Sequence, residues 1–269
     1  AGACLHALIH PGTGQSRSAA HLMVWDCSYV WGRLPLPVHP EGAWPRTPDL
    51  PRVYRKISDL PAAIPVFPLG GALLFPRASL PLNIFEPRYL AMVDAALAGH
   101  RLIGMIQLAG LAQTGAGDET NALAAVGCAG RITGFQETED GRYLIVLSGI
   151  TRFRVASEIT GDSPYRIART DWAPFARDLV VDPMLDETMR GRLFAALKAY
   201  LARGEMRADW STIEETPLDA LINSLSAACP FTNPEKQALL EAPSLADRCA
   251  ALITLLEMER PGQGGGYVQ

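Results

Sequence analysis

Residues 80–89 read Leu80-Pro81-Leu82-Asn83-Ile84-Phe85-Glu86-Pro87-Arg88-Tyr89. Two periods meet inside this stretch. Pro81 to Phe85 alternates, as a half-buried strand does. From Leu90 the apolar residues Val93, Ala96 and Leu97 follow a helical spacing. Pro87 sits where a first helical residue can lack its N–H, and Gly99 supplies the stop. Glu86 suits the positive end of the helix dipole. A strand running directly into a helix over 87–98 is the expectation.

Working outward, short apolar runs surround this unit. Ile64-Pro65-Val66-Phe67 and Leu73-Leu74-Phe75 are split by Pro68 and Gly70-Gly71 and read as strands. Arg101 to Leu108 reads as a buried strand, and 109–121 as a small, polar, flexible loop. Val126 to Thr138 reads as a strand bent at Gly127, Gly130 and Gly134. Asp140-Gly141 is a hairpin signal, with Tyr143, Ile145 and Leu147 beyond it. Arg152-Phe153-Arg154-Val155 and Tyr165-Arg166-Ile167 alternate. Six or seven short antiparallel strands with one early helix argue for a closed or nearly closed barrel.

After Pro183 the texture turns helical. Asp182-Pro183, Thr216-Pro217 and Asn233-Pro234 each read as a cap followed by a first-turn proline. Ser244 and Asp247 resemble a capping box. Four amphipathic helices in a row make a small bundle. The N-terminal stretch differs: its prolines, from Pro35 to Pro51, break regular structure. The expected organisation is a Pro-rich leader over 1–60, disordered or non-native, a β-rich domain over 61–178, a helical bundle over 179–261 and a tail over 262–269.

The chain of 269 residues is 48% hydrophobic, enough for a real core, and carries a formal net charge of −4. A nucleic-acid binder is usually basic overall. Six arginines (Arg131, Arg142, Arg152, Arg154, Arg166, Arg169) still point toward RNA, but residues 126–181 carry seven Arg and seven Asp or Glu. Charges of both signs, interspersed, read as a solvated face. The five cysteines lack knuckle spacing and read as free thiols in a reducing compartment, so the cytoplasm is the expected location. No run of 18 apolar residues predicts a membrane span.

The chemistry of catalysis is missing. Only Lys56, Lys198 and Lys236 exist, and none follows a phosphate-cradling glycine loop. Lys198 and Lys236 read as solvated helix lysines, which leaves a Ser-Lys dyad unsupported. No His/Cys/carboxylate set has metal-ligand spacing. The sequence therefore names no catalytic residue, no metal and no cofactor.

Several of these segments together resemble the N-terminal substrate-binding domain of Lon proteases. The likeness runs through Ile64-Pro65-Val66-Phe67-Pro68-Leu69-Gly70, Leu73-Leu74-Phe75-Pro76 and Phe85-Glu86-Pro87-Arg88-Tyr89. It continues in Leu102-Ile103-Gly104-Met105-Ile106, Val126 to Ile132, and Leu147 to Val155. The resemblance implies an α+β fold: a PUA-like β pseudo-barrel with an inserted helix, followed by a C-terminal helical bundle. It implies a non-catalytic module of the kind found alone in short bacterial proteins. Such a module would bind unfolded or peptide segments, or act as an adaptor in proteolysis. A PUA-like RNA-binding module is the alternative. Phe85, Glu86, Arg88, Tyr89, Arg131 and Arg152 are the candidate binding residues. Glu86, Arg88 and Tyr89 also have a structural reading, as helix-start charge, ion-pair partner and packed ring.

Overall fold

The computed structural model describes residues 9–11, 54–109, 122–180, 187–204 and 206–258. Strand β1 (Ile9–Pro11) lies apart from the main sheet. That sheet holds β2 (Ala63–Pro68), β3 (Ser79–Ile84), β4 (Leu102–Ile106), β5 (Val126–Glu137), β6 (Tyr143–Ile159) and β7 (Ile167–Asp171). Helix α1 (Pro87–Ala98) follows β3 and spans the residues that the periodicity predicted, with Pro87 in its first turn and Gly99 at its end.

The strand order is β3-β6-β5-β4-β2-β7, and β7 also pairs with β6. The last pairing joins β6, β5, β4, β2 and β7 into a ring, with β3 laid against the first half of β6. One 17-residue strand, β6, makes this possible. Its first half pairs with β3 and β5, and its end pairs with β7 from Arg154↔Asp171 to Ile159↔Ile167. Bulges beside Gly130 and Gly134 bend the β5–β6 pair, the strand irregularity that bends a sheet.

Three expectations need correction. The barrel is not wholly antiparallel, because β2 runs parallel to β4 with Val66↔Gly104 and Pro68↔Ile106 in register. The crossover through β3 and α1 returns the chain in the same direction, as parallel pairing requires. Tyr143–Val155 is one continuous strand rather than two. Leu73-Leu74-Phe75 is buried yet irregular. There the chain passes tightly over β6: Arg77 N–H donates to Gly149 O (2.9 Å) and Gly149 N–H to Ala78 O (2.8 Å). A Cβ at Gly149 would lie 2.0 Å from the Phe75 carbonyl oxygen, so this crossing admits only glycine.

Inside the ring, Ile64, Val66, Leu102, Ile106, Ile150, Phe153 and Trp172 form one core. Phe153 and Trp172 meet edge-on at 5.8 Å. Side chains at Gly104 or Gly127 would come within 2.8 or 2.7 Å of the Phe153 ring. β4 and β5 thus carry glycines here because Phe153 fills the narrow interior. Tyr54 and Leu60, expected within the leader, are buried in this core, and the Tyr54 hydroxyl donates to His100 O at 2.7 Å.

The helices α2 (Glu187–Arg203), α3 (Trp210–Glu215), α4 (Leu218–Ala228), α5 (Asn233–Glu241) and α6 (Leu245–Met258) pack on the outside of the barrel. Four were expected; α3 is the addition, capped by Asp209, whose carboxylate accepts from the Ser211 and Thr212 amides. Strand β8 (Met206–Ala208), just before it, pairs with β1. The Ser244/Asp247 capping box forms as read, with Asp247 N–H donating to Ser244 Oγ at 3.1 Å. At α5 the cap is Thr232 with Glu235, one residue earlier than expected. At α4 the cap position is Pro217, and the Thr216 hydroxyl donates to Thr212 O instead. The Asp182-Pro183 cap, the loop 110–121 and the tail lie outside the described residues. The second core fills the space between barrel, α1 and these helices.

Candidate functional site

At one end of the sheet, β3, β6 and β5 finish beside the first turns of α1. Tyr143 stands at the centre, in register with Ile84 on one side and Glu137 on the other. Phe135 meets it edge-on, ring centroids 5.0 Å apart. Phe85 follows Ile84, the last residue of β3. Phe85 is 58% exposed and Phe135 45% exposed, unusual for phenylalanine, which is mostly buried. Phe85 lies on the β3 side of Tyr143 and Phe135 on its β5 side, and with the start of α1 they bound a ledge at this end of the sheet.

The remaining parts of this ledge are polar. Glu86 does not cap the helix through a hydrogen bond; it pairs with Arg88 at 2.9 Å. The Arg88 guanidinium lies 4.5 Å over the Tyr89 ring, and Tyr89 packs on Phe67 at 4.1 Å. Tyr89 is buried, a packing residue beneath the ledge. Behind Tyr143, Asp94 of α1 is hydrogen-bonded to its hydroxyl. Desolvation, that bond and the negative charges of Asp94 and Glu137 push the phenol up from its usual pKa. The hairpin closes with Thr138 N–H donating to Arg142 O (2.9 Å), Gly141 at φ 77°, and an Asp140–Arg142 pair at 2.9 Å.

The other two candidates lie elsewhere. Arg131 pairs with Leu102 of β4, and its guanidinium sits 5.8 Å from the Tyr54 ring. Arg152 is 3% exposed and not on any surface. Its guanidinium holds Asp178 in two bonds of 2.8 and 2.9 Å, and donates to Leu240 O (2.9 Å) and Ala242 O (2.6 Å) at the C-terminal end of α5. It lies 4.6 Å over Phe175. Arg248 reaches the same helix end, donating to Leu239 O at 2.8 Å. Both cations meet the negative end of the α5 dipole. Arg152 therefore bolts barrel to bundle, and its buried, fully engaged side chain is not a binding surface, contrary to the sequence expectation.

Three of the six arginines that suggested RNA are occupied by ion pairs. Arg142, Arg152 and Arg166 pair with Asp140, Asp178 and Glu158. Lys236 is not a solvated lysine. It is partly buried and donates to Ala227 O at 2.9 Å, with burial lowering its pKa. Lys198 sits 5.0 Å over the Trp210 ring. Among the described residues no helix is long and apolar enough to cross a membrane, and no group of three or more His, Cys, Asp or Glu could hold a metal ion. Sequence reasoning missed Phe135 and Tyr143. The available signal was a phenylalanine just before the turn, in a half-strand, Thr133 to Glu137, otherwise built of small and polar residues.

A family model described as the ATP-dependent protease La (LON) substrate-binding domain matches residues 63–258. The chain is similar to a Lon protease of Anaeromyxobacter dehalogenans, 27% identical over 78% of this chain and 25% of that protein. It is also similar to one of Syntrophus aciditrophicus, 30% identical over 75% of this chain and 25% of that protein. The chain thus spans about a quarter of the length of these curated relatives. Among solved structures, the N-terminal domain of a Mycobacterium avium complex Lon protease shares its fold, with a TM-score of 0.53 at 18% identity, covering 73% of this chain and 99% of that one.

Proposed function

The chain belongs to the substrate-binding domain family of the ATP-dependent protease La (LON), and from that premise we propose that it is a non-catalytic protein-recognition module. It binds unfolded or extended peptide segments, or presents them as an adaptor in proteolysis, without ATPase or peptidase chemistry of its own. Its place is the reducing cytoplasm, where the buried thiols Cys128, Cys229 and Cys249 stay free.

One observation carries the reading: two half-exposed phenylalanines on a ledge fixed by strand ends and a helix start. Segments exposed by unfolding are apolar. Covering about 100 Å² on each ring is worth ~5 kcal/mol before the entropy of association is subtracted. Weak, roughly micromolar binding of the transient kind needs about 8 kcal/mol net, so further contacts along the bound segment supply the rest. Phe85, Glu86 and Arg88 line the ledge with Phe135 and Tyr143, and Tyr89 supports it.

The test is affinity for a permanently unfolded model protein and for a structured RNA, each at low and moderate salt. Burial of apolar surface gives protein binding that changes little with salt. RNA binding would fall steeply, because neutralised phosphates release counterions. Tight, salt-sensitive RNA binding with no affinity for the unfolded protein would replace this function by the PUA-like RNA-binding one. Arg154→Glu, on the exposed side of β6, is the variant for that arm, since changing Arg152 would destabilise the joint between barrel and bundle.

A further inference from the structure

Strand β3 stands at the end of the sheet order and pairs on one side only, with β6. One bond fixes the phase of that pairing. Gly149 N–H donates to Ala78 O at 2.8 Å, which makes Ser79↔Ser148 a pair that exchanges no bonds of its own. The unbroken register then alternates as far as Ile84↔Tyr143. Leu80, Leu82 and Ile84 turn their backbone groups toward β6. Ser79, Pro81 and Asn83 turn theirs outward, which suits Pro81, a residue with no N–H to give a partner strand. The outward groups are thus the N–H of Ser79 and Asn83 and the C=O of Ser79, Pro81 and Asn83. Among the described residues none of these five has a hydrogen-bond partner. The buried Asn83 Oδ1 also lacks a donor. The edge runs to the ledge, because Phe85 stands one residue past Ile84 and is exposed.

We propose that β3 receives an extended client segment as an added strand, bonded through its main chain to Ser79, Pro81 and Asn83 and running on to Phe85. The proposal rests on the protein-recognition reading and adds the mode of binding. The edge itself defines the occupant, because unpaired N–H and C=O groups at strand spacing template another extended backbone. The outward set is short of donors, three carbonyls against two amides. A client strand without proline brings an N–H to each carbonyl. A second copy of this chain suits the edge less well. Laid antiparallel about Pro81, two β3 strands set proline against proline, and the central pair has no donor. Proline on an edge blunts self-pairing in this way. Arg77 at φ 62° and the start of α1 at Pro87 bound the edge, so the client need present only about five extended residues. Bonds to main chain read no particular side chain, so segments of many sequences share the site.

Each bond contributes modestly, because it replaces bonds to water. One hydrogen bond made on docking changes affinity by about two- to tenfold. Deleting the two outward amides of β3 therefore weakens binding by about fivefold to a hundredfold. Blocking the client N–H groups that meet the three outward carbonyls weakens it by at least about tenfold. Neither change removes a bond between β3 and β6.

The experiment uses the full chain and two labelled peptides of about 12 residues, read by fluorescence anisotropy. Both carry a Thr-Val-Phe-Val-Thr core; in the second, all five core amides are N-methylated, which keeps every side chain and removes the donors. The first should bind, and the second at least about tenfold more weakly. The double variant Ser79→Pro with Asn83→Pro deletes only outward N–H groups, as Pro81 already does, and should bind the first peptide about fivefold to a hundredfold more weakly. Thermal melting checks its fold, and Asn83→Pro alone serves if the double variant melts low. If the N-methylated peptide binds wild type as tightly as its parent, strand addition is wrong and the recognition reading stands. If a folded proline variant keeps full affinity, β3 is not the edge used and the proposal falls. If the chain sediments as a dimer that the proline variant dissociates, a second copy occupies β3 and the proposal falls. If neither the first peptide nor a permanently unfolded model protein binds, strand addition and the recognition reading are both overturned.

Discussion

Removing the Arg152 side chain, as in Arg152→Met, is expected to loosen the joint between barrel and bundle. The substitution keeps an unbranched apolar stem over Phe175 but deletes every guanidinium bond. Asp178, 9% exposed at its side chain, keeps one bond from the Arg152 amide at 3.0 Å and loses its counter-charge. The carbonyls of Leu240 and Ala242 lose a donor each. Breaking a buried pair by removing one partner costs about 3–5 kcal/mol, because the other charge stays buried. Taking about 4 kcal/mol, and about 3 °C per kcal/mol for a protein of this size, the melting temperature should fall by about 12 °C. Urea unfolding of wild type, Arg152→Met, Asp178→Leu and the double variant completes a cycle. Replacing both partners leaves no stranded charge, so the double variant should regain half or more of the summed loss. A single-variant loss below about 1 kcal/mol, or strict additivity in the double variant, would refute the reasoning.

Other outcomes follow from named contacts. Gly149→Ala places a methyl 2.0 Å from the Phe75 carbonyl oxygen; backbone must move, so soluble yield should drop and any folded fraction should lose at least about 3 kcal/mol by urea titration. Truncation before Tyr54 should melt near the full chain. Truncation before Ala62 removes the buried Tyr54 and Leu60 and should cost about 3 kcal/mol or more. Burial raises the thiol pKa of Cys128, and that of Cys249 to about 11. The folded state thus holds these protons after unfolded thiols have lost theirs. Their stability contribution is complete below about pH 9 and is lost as pH climbs toward 11, at up to ~1.4 kcal/mol per pH unit for each thiol. Cys249→Ala should flatten that alkaline limb in pH-dependent denaturant titrations.

Local signals in the sequence translated well into local structure. Helix α1 runs from Pro87 to Ala98 because a first-turn proline and a closing glycine bracket a clean 3.6 period. Asp140-Gly141 closes the hairpin as its chemistry demands. What was not legible is nonlocal. Leu73-Leu74-Phe75 is as apolar as any strand, and only the crossing over Gly149 makes it irregular. Nothing in Val66-Phe67 or Met105-Ile106 reveals that these strands run parallel. The alternation around Arg152-Phe153-Arg154 gives a strand, but not that the Arg152 side chain meets the end of α5, nearly ninety residues later. For the ledge, Phe85 was visible beside its helix start. Tyr143 comes beside the end of β3 only through the register of β3 on β6, and Phe135 meets Tyr143 only through that of β5 on β6.

Hydrogen–deuterium exchange with an unfolded client tests most directly whether the ledge is the contact surface. Exchange is followed by mass spectrometry on the full chain, alone and saturated with a permanently unfolded model protein. Added protection should concentrate in peptides covering residues 84–90 and 135–144, with the Arg152–Asp178 joint unchanged. Protection confined to other parts of the barrel or to the helical bundle, with 84–90 and 135–144 exchanging as in the free protein, would contradict it.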